Sequence, residues 1–216
     1  VASRPALSPD GKQVAFRRHD GKTGESRVIV ANLDGSGERV LGTRKLPESA
    51  YAGAPAWSPD ARMIVLAANL SSGGERTVVV GLPLDGGREQ QLGQQSWSGI
   101  GALAWVSDGS GVIFPAREYV GAPSQLWLLS YPGGEARRIT NDLNDYSDLS
   151  ASADSSSLVT LLNQTNAGIW VAPADNPDAA RRVTSGARRF SGKVEWSPER
   201  KIVYGAFAGG AINVWV

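Results

Sequence analysis

An all-β chain, built as a β-propeller from copies of one four-stranded sheet, is what this sequence predicts, and three observations carry the prediction. One hairpin recurs. Pro5-Ala6-Leu7-Ser8-Pro9-Asp10-Gly11-Lys12-Gln13-Val14-Ala15-Phe16 reads as strand, tight turn and strand. Altered copies stand at 55–61, 103–109, 149–155 and 194–200, with the acidic residue at 10, 60, 108, 154 and 199, so the steps are about 50, 48, 46 and 45 residues. Periods of this size mark solenoids, propellers and arrays. Short runs rich in Val, Ile, Leu and aromatics fill each unit between Gly, Pro, Asp or Ser, the signature of strands and hairpins. No segment keeps a 3.6-residue apolar period over three turns, so essentially no helix is expected.

The first blade, about 1–42, pairs strand 5–8 with 14–17. A loop over 18–25 leads to 27–31, and Asp34-Gly35-Ser36-Gly37 turns into 38–41. The second, 54–92, places strands at 54–58, 63–68, 77–80 and 88–92, the third, 102–140, at 102–106, 111–116, 125–130 and 136–140. The fourth, 148–184, places them at 148–152, 157–162, 168–172 and 180–184. The fifth, 193–216, holds three, at 193–196, 201–206 and 212–216. The prediction is therefore four complete four-stranded blades plus a partial fifth, an incomplete arc of a six- or seven-bladed propeller, with closure at five as the alternative. A twisted four-stranded sheet cannot bury both faces alone, and stacking against neighbours covers them. The tryptophans keep this register. Trp57, Trp105 and Trp196 share a place on the first strand, and Trp127, Trp170 and Trp215 share one on the third. Aromatics recurring at the repeat period read as packing between blades. Trp97 stands outside the register.

In Ser-Pro-Asp-Gly each residue has a task. Proline presets φ for the second position of a type I turn, Asp bonds its own backbone two residues on, and Gly accepts the left-handed conformation that closes the hairpin. Gly recurs at 11 and 109 only. Ala61, Ser155 and Arg200 replace it, so a left-handed residue has weak support in those three copies. The five acidic residues are five copies of one turn rather than a catalytic cluster.

The 216 residues suffice for one large all-β domain or two small ones. A net charge of +1 implies no polyanion partner, and Arg181-Arg182 and Arg188-Arg189 do not overturn that. Without Cys there is no disulfide and no thiolate metal site. No apolar run approaches the ~20 residues of a membrane helix. The chain opens on Val1 rather than Met and is read as a segment of something longer.

The Ser-Pro-Asp-Gly hairpin with its following apolar strand resembles the TolB-type propeller repeat, over the whole chain. The stretch Leu126-Trp127-Leu128-Leu129-Ser130-Tyr131-Pro132-Gly133-Gly134-Glu135-Ala136-Arg137-Arg138-Ile139-Thr140-Asn141-Asp142, continued by Asp145-Tyr146-Ser147-Asp148-Leu149-Ser150 and Ser157-Leu158-Val159-Thr160, resembles the C-terminal propeller of certain bacterial transmembrane serine/threonine protein kinases. That resemblance implies an extracytoplasmic, periplasmic signalling module, itself without kinase activity, since no Gly-rich phosphate loop, His-Arg-Asp or Asp-Phe-Gly occurs. Propellers of this repeat also precede prolyl-oligopeptidase-type serine hydrolases, so the alternative is a substrate-gating propeller. Fold alone does not choose between them.

The residues argue against catalysis by this segment. His19 is the single histidine, which leaves little for a triad or a His-built metal site. Gly21-Lys22-Thr23 lacks the partner glycine of a phosphate loop, because Phe16 stands there, and no Gly-x-Ser-x-Gly elbow occurs. The oxygens of 142–148 lack the EF-hand spacing and read as turn caps. No cofactor and no metal are expected. A binding face is the better reading: the irregular loops carry Arg18, His19, Arg44, Lys45, Tyr51, Trp97, Glu118, Tyr119, Asn144, Asp145, Tyr146, Arg188, Arg189 and Phe190. Aromatic and Arg residues on loops match hot-spot chemistry. The contact set expected for a protein or peptide partner is Tyr51, Trp97, Tyr119, Asn144, Asp145, Tyr146, Arg188, Arg189 and Phe190. Neither nucleic acid nor direct membrane contact is expected.

Overall fold

The computed structural model describes residues 3–45, 49–70, 76–152, 154–164, 167–184, 190–208 and 211–216. They form strands and turns, with one 3-10 turn at Pro177–Ala179 as the helical element. The chain divides into two compact units, Val1–Tyr119 with Pro123–Leu162, and Val120–Ala122 with Asn163–Val216.

The first unit contains antiparallel sheets that follow the repeat. Strands β1 (Ala6–Leu7), β2 (Gln13–Asp20), β3 (Glu25–Asn32) and β4 (Arg39–Lys45) form the first sheet in chain order. The second is β5 (Ser49–Trp57), β6 (Met63–Leu70), β7 (Arg76–Pro83) and β8 (Gln90–Gln91). In the third, β9 (Gly99–Ile100) and β10 (Ala104–Trp105) both pair with β11 (Gly111–Arg117), followed by β12 (Gln125–Ser130) and β13 (Ala136–Arg138). Strand β14 (Asp145–Ala151) then pairs with β15 (Leu158–Asn163).

The core lies between these sheets because alternate strand residues point to opposite faces. Val65, Ala67 and Val79 of the second sheet face Phe114, Trp105, Trp127 and Leu129 of the third. Ile64, Leu66, Val78 and Val80, their sequence neighbours, face Ala15, Val28 and Val30 of the first. The second sheet is thus apolar on both faces. Trp57 adds a directional tie: its indole Nε1 donates to Ala6 O of the first sheet at 2.9 Å.

The five recurring turns share a backbone bond from the fourth residue to the first, and three of them share a serine–aspartate bond. Gly11 N donates to Ser8 O at 2.9 Å and Ser8 N to Gln13 O at 2.9 Å. Ser8 Oγ donates to Asp10 Oδ1 at 2.6 Å and accepts from Gln13 N at 2.9 Å. Ser58 with Asp60, and Ser152 with Asp154, repeat the hydroxyl–carboxylate bond at 2.6 Å. Left-handed φ values occur at all five closing positions: +70° at Gly11 and +75° at Gly109, but also +54° at Ala61, +55° at Ser155 and +60° at Arg200. The weak support expected for the last three is corrected. In the copies with Ala61 and Ser155, serine and aspartate hold the turn on either side, so the backbone goes left-handed without glycine.

The second unit is thinner. Strand β16 (Trp170–Val171) pairs with β17 (Arg181–Arg182), and β18 (Phe190–Trp196), β19 (Ile202–Ala208) and β20 (Ala211–Trp215) form a three-stranded sheet. Its buried apolar side chains, among the described residues, are Ala122, Ile169 and Ala206. Among the described residues the fourth repeat shows two two-stranded ladders, β14–β15 and β16–β17. One sequence expectation changes here. Trp170 and Trp196 are exposed, whereas Trp57, Trp105 and Trp127 are buried as inter-sheet packing requires.

Candidate interaction surface

Most of the residues expected on irregular loops stand on strands or in the core. The ladder between β2 and β3 runs out to Asp20 and Glu25, and that between β3 and β4 to Lys45. Arg18, His19, Arg44 and Lys45 therefore belong to strands, near their ends. The tyrosine at 51 and the tryptophan at 97 are each 1% exposed. Trp97 exchanges backbone bonds with Thr77 at 2.7 and 2.9 Å. Its ring meets Phe114 and Trp127 edge-on, with centroids at 5.0 and 5.6 Å. It is an inter-sheet packing residue that sits off the repeat register. Tyr51 joins the first two sheets: its hydroxyl donates to Glu89, which also receives Arg44 Nη2 at 2.5 Å, with the guanidinium over the Tyr51 ring. Burial and then the Glu89 carboxylate push the Tyr51 hydroxyl pKa far up. Neither side chain offers surface to a partner, which corrects those two expectations.

Arg188 and Arg189 lie outside the described residues. Phe190 opens β18 half-buried, its ring 5.6 Å from that of Tyr204. Tyr119 is exposed in the segment after β11. The remaining three, Asn144, Asp145 and Tyr146, are brought together with residues that the sequence did not single out for binding.

The segment joining β13 to β14 is held by a network. Gln125 on β12 is 1% exposed and uses both ends of its amide, Oε1 accepting from Asp142 N at 3.2 Å and Nε2 donating to Asn144 O at 2.8 Å. The Asp142 carboxylate accepts from Asn144 N at 2.9 Å, Asn144 Nδ2 at 3.1 Å and Tyr146 Oη at 2.8 Å. The Tyr146 and Asn144 donors hold its pKa below the usual carboxylate range, and the same bond raises that of Tyr146. Asp145 Oδ1 accepts from Ser124 N at 2.7 Å, and Arg117 Nη2 lies 3.3 Å from its Oδ2. Tyr146 N donates to Ser124 O at 2.9 Å. Close by in sequence, Arg138 faces Glu118 at 3.7 Å and covers the Trp127 ring at 5.7 Å. The network uses the Asp142 and Asp145 carboxylates to accept from the chain's own donors. It leaves Leu143 pointing to solvent, 92% exposed. Only the acid-rich spacing of Asp142, Asp145 and Asp148 hinted at the network, and nothing in the pattern marked Gln125 or Leu143.

A cleft of about 460 Å³ is lined by Arg18, His19, Asp20, Gly21, Lys22, Glu25 and Arg27. Much of its charge is internally matched: Arg18 forks onto Glu38 at 2.6 and 3.0 Å, Arg27 pairs with Glu25, and Asp20 caps Lys22 N at 2.8 Å. Among the described residues no three His, Cys, Asp or Glu side chains are grouped as a metal site would need.

Successive antiparallel sheets of a repeat near fifty residues, packed face to face through aromatic and branched side chains, define a β-propeller. The chain belongs to the TolB beta propeller domain family, whose profile matches residues 2–216. It is 28% identical over 162 residues, 74% of its length, to the uncharacterized peptidase YuxL of Bacillus subtilis (strain 168), and covers 22% of that protein. Its fold is similar to that of TolB from Acinetobacter baumannii, with TM-score 0.61, 19% identity, and 97% of this chain on 50% of that one. It is also similar to a puromycin-hydrolyzing peptidase from Mycobacterium tuberculosis, with TM-score 0.56, 16% identity, and 94% of this chain on 33% of that one. The chain thus spans half or less of the length of these relatives. At such identities the structural likeness concerns the fold.

Proposed function

We propose that this chain is a non-catalytic recognition propeller that binds a protein or peptide through the surface around Tyr119 and 142–146. One observation carries this reading: a loop braced by a buried glutamine and an aspartate cap, with an apolar side chain held out to solvent. Conserving shape at the turns and varying the irregular segments is how propellers separate scaffold from recognition. The five repeats, 1–42, 54–92, 102–140, 148–184 and 193–216, are blades of a ring completed to six or seven. The parent is a bacterial signalling protein such as a transmembrane serine/threonine kinase, with this part outside the cytoplasm. The kinase-like stretch 126–142 supports that setting.

A second reading has its own support. The 28% identity with YuxL favours a peptidase parent, in which the propeller would gate substrate entry to a separate hydrolase domain. Reading the gene on both sides of this chain separates the two. A kinase domain and a membrane helix upstream support the first, and an α/β-hydrolase downstream supports the second and overturns the first.

A further inference from the structure

Leu143 differs from an ordinary exposed apolar residue. Single apolar side chains at the surface are common and need no explanation. Here, however, the backbone is fixed on both sides of the exposed one. Asp142 N and Asn144 O are both tied to the buried Gln125 amide, and Asn144 N is tied to the Asp142 carboxylate. Among the described residues Leu143 is the most exposed large apolar side chain, ahead of Val216 at 75%. A side chain presented on a pre-ordered backbone enters a partner without the ordering cost that a floppy loop incurs.

The charge beside it is also specific. From Asn141 to Asp148 the sequence holds three Asp and no Lys or Arg. Asp145 meets Arg117, and Asp148 meets Arg4 at 2.6 Å. Asp142 differs, because its donors are the neutral Asn144 and Tyr146 groups. Among the described residues no cation pairs with Asp142, so the residue adjoining Leu143 keeps its negative charge. An apolar anchor next to a fixed carboxylate is complementary to an apolar pocket with a basic rim.

We propose that Leu143 is the anchor of a docking site for a partner protein that offers an apolar pocket rimmed by Lys or Arg. The proposal rests on the recognition reading above and adds the partner's chemistry. Burial of the leucine supplies affinity, roughly ten- to a hundredfold in Kd. Asp142 supplies orientation and a salt-dependent association rate.

The test places a diazirine-bearing photoreactive residue at position 143 of the full-length protein in its own cells. A control carries it at Leu33, which is also exposed but lies in the β3–β4 turn. The protein cross-linked from 143 is then purified, and its Kd is measured for wild type, Leu143→Ser, Asp142→Asn and Leu33→Ser. We expect cross-linking at 143 well above that at 33. Leu143→Ser should weaken Kd at least tenfold and Asp142→Asn about threefold, with the second effect lost at high salt and Leu33→Ser neutral. Thermal melts within a degree or two of wild type show that these surface variants are folded. A Kd within twofold of wild type for Leu143→Ser overturns the proposal, as does equal cross-linking at both positions. Cross-linking at Leu33 alone removes this site but keeps the recognition reading. Its absence at both positions removes both.

Discussion

Trp57 and Trp196 occupy one place in the repeat, three residues before Asp60 and Glu199 respectively, yet one is 8% exposed and the other 62%. Both close a first strand, and both precede a turn with a left-handed fourth residue. The local chain is the same and the surroundings are not. Trp57 lies in the cluster between the first two sheets and donates to Ala6 O, whereas Trp196 pairs in register with Ile202 and keeps most of its ring in solvent. The contrast separates two levels of the fold. Repeat position sets backbone conformation through short-range bonds, and burial is set by what packs on the sheet face.

Substitution tests that separation first at the two tryptophans. Trp57→Ala removes a buried indole and its hydrogen bond and should cost about 3–5 kcal/mol. Trp196→Ala should cost under about 1 kcal/mol, since an exposed ring loses little. Urea unfolding of the two variants checks both values, and equal losses would break the comparison.

The turns should respond alike wherever they lie. Ala61→Gly and Arg200→Gly relieve left-handed φ at a residue with Cβ, and each should stabilise by about 0.5–1 kcal/mol. Gly109→Ala should destabilise by a similar amount, about 1 kcal/mol. Thermal melts of the three variants decide this. A loss on introducing glycine at 61 would mean that the backbone there is held some other way.

The smallest expected effect is with pH. In the turn copies at Asp10 and Asp60 the serine hydroxyl comes first among the donors that lower the carboxylate pKa. Ser152 and then Ser156 bring Asp154 down to about 2. Folded-state pKa values below the unfolded ones mean that the unfolded chain binds protons more readily. Their stabilisation is complete above about pH 4 and is lost as pH falls towards 2. Unfolding midpoints between pH 5 and 2 should fall, and Ser8→Ala with Ser58→Ala should flatten that fall. An unchanged slope would detach the turns from acid stability.

Much of this was legible from residues alone. The hairpin period, the scarcity of helix and the strands of the first three sheets follow from Pro, Asp, Gly and the apolar runs, because these act over a few residues. Other features escaped. Ala61, Ser155 and Arg200 look unfit for left-handed backbone until the hydrogen bonds of Ser58, Ser152 and Ser197 are seen to close each turn. Trp97 and Tyr51 look like loop aromatics, but the ladders run past the apolar stretches and bury them between sheets. The run Asn144-Asp145-Tyr146 is legible in the sequence, and the bonds of the loop include all three. The parts of Gln125 and Leu143 are not legible, since a glutamine on a strand gives no sign of the loop it will brace and a lone leucine gives none of its exposure.

Amide hydrogen exchange followed by mass spectrometry tests most directly the claim that neighbours, not repeat position, determine how firmly a sheet is held. The peptide covering β6, whose sheet is apolar on both faces, should exchange at least about a hundredfold more slowly than the peptide covering β19, because protection follows buried contact. Equal protection of β6 and β19 would contradict it.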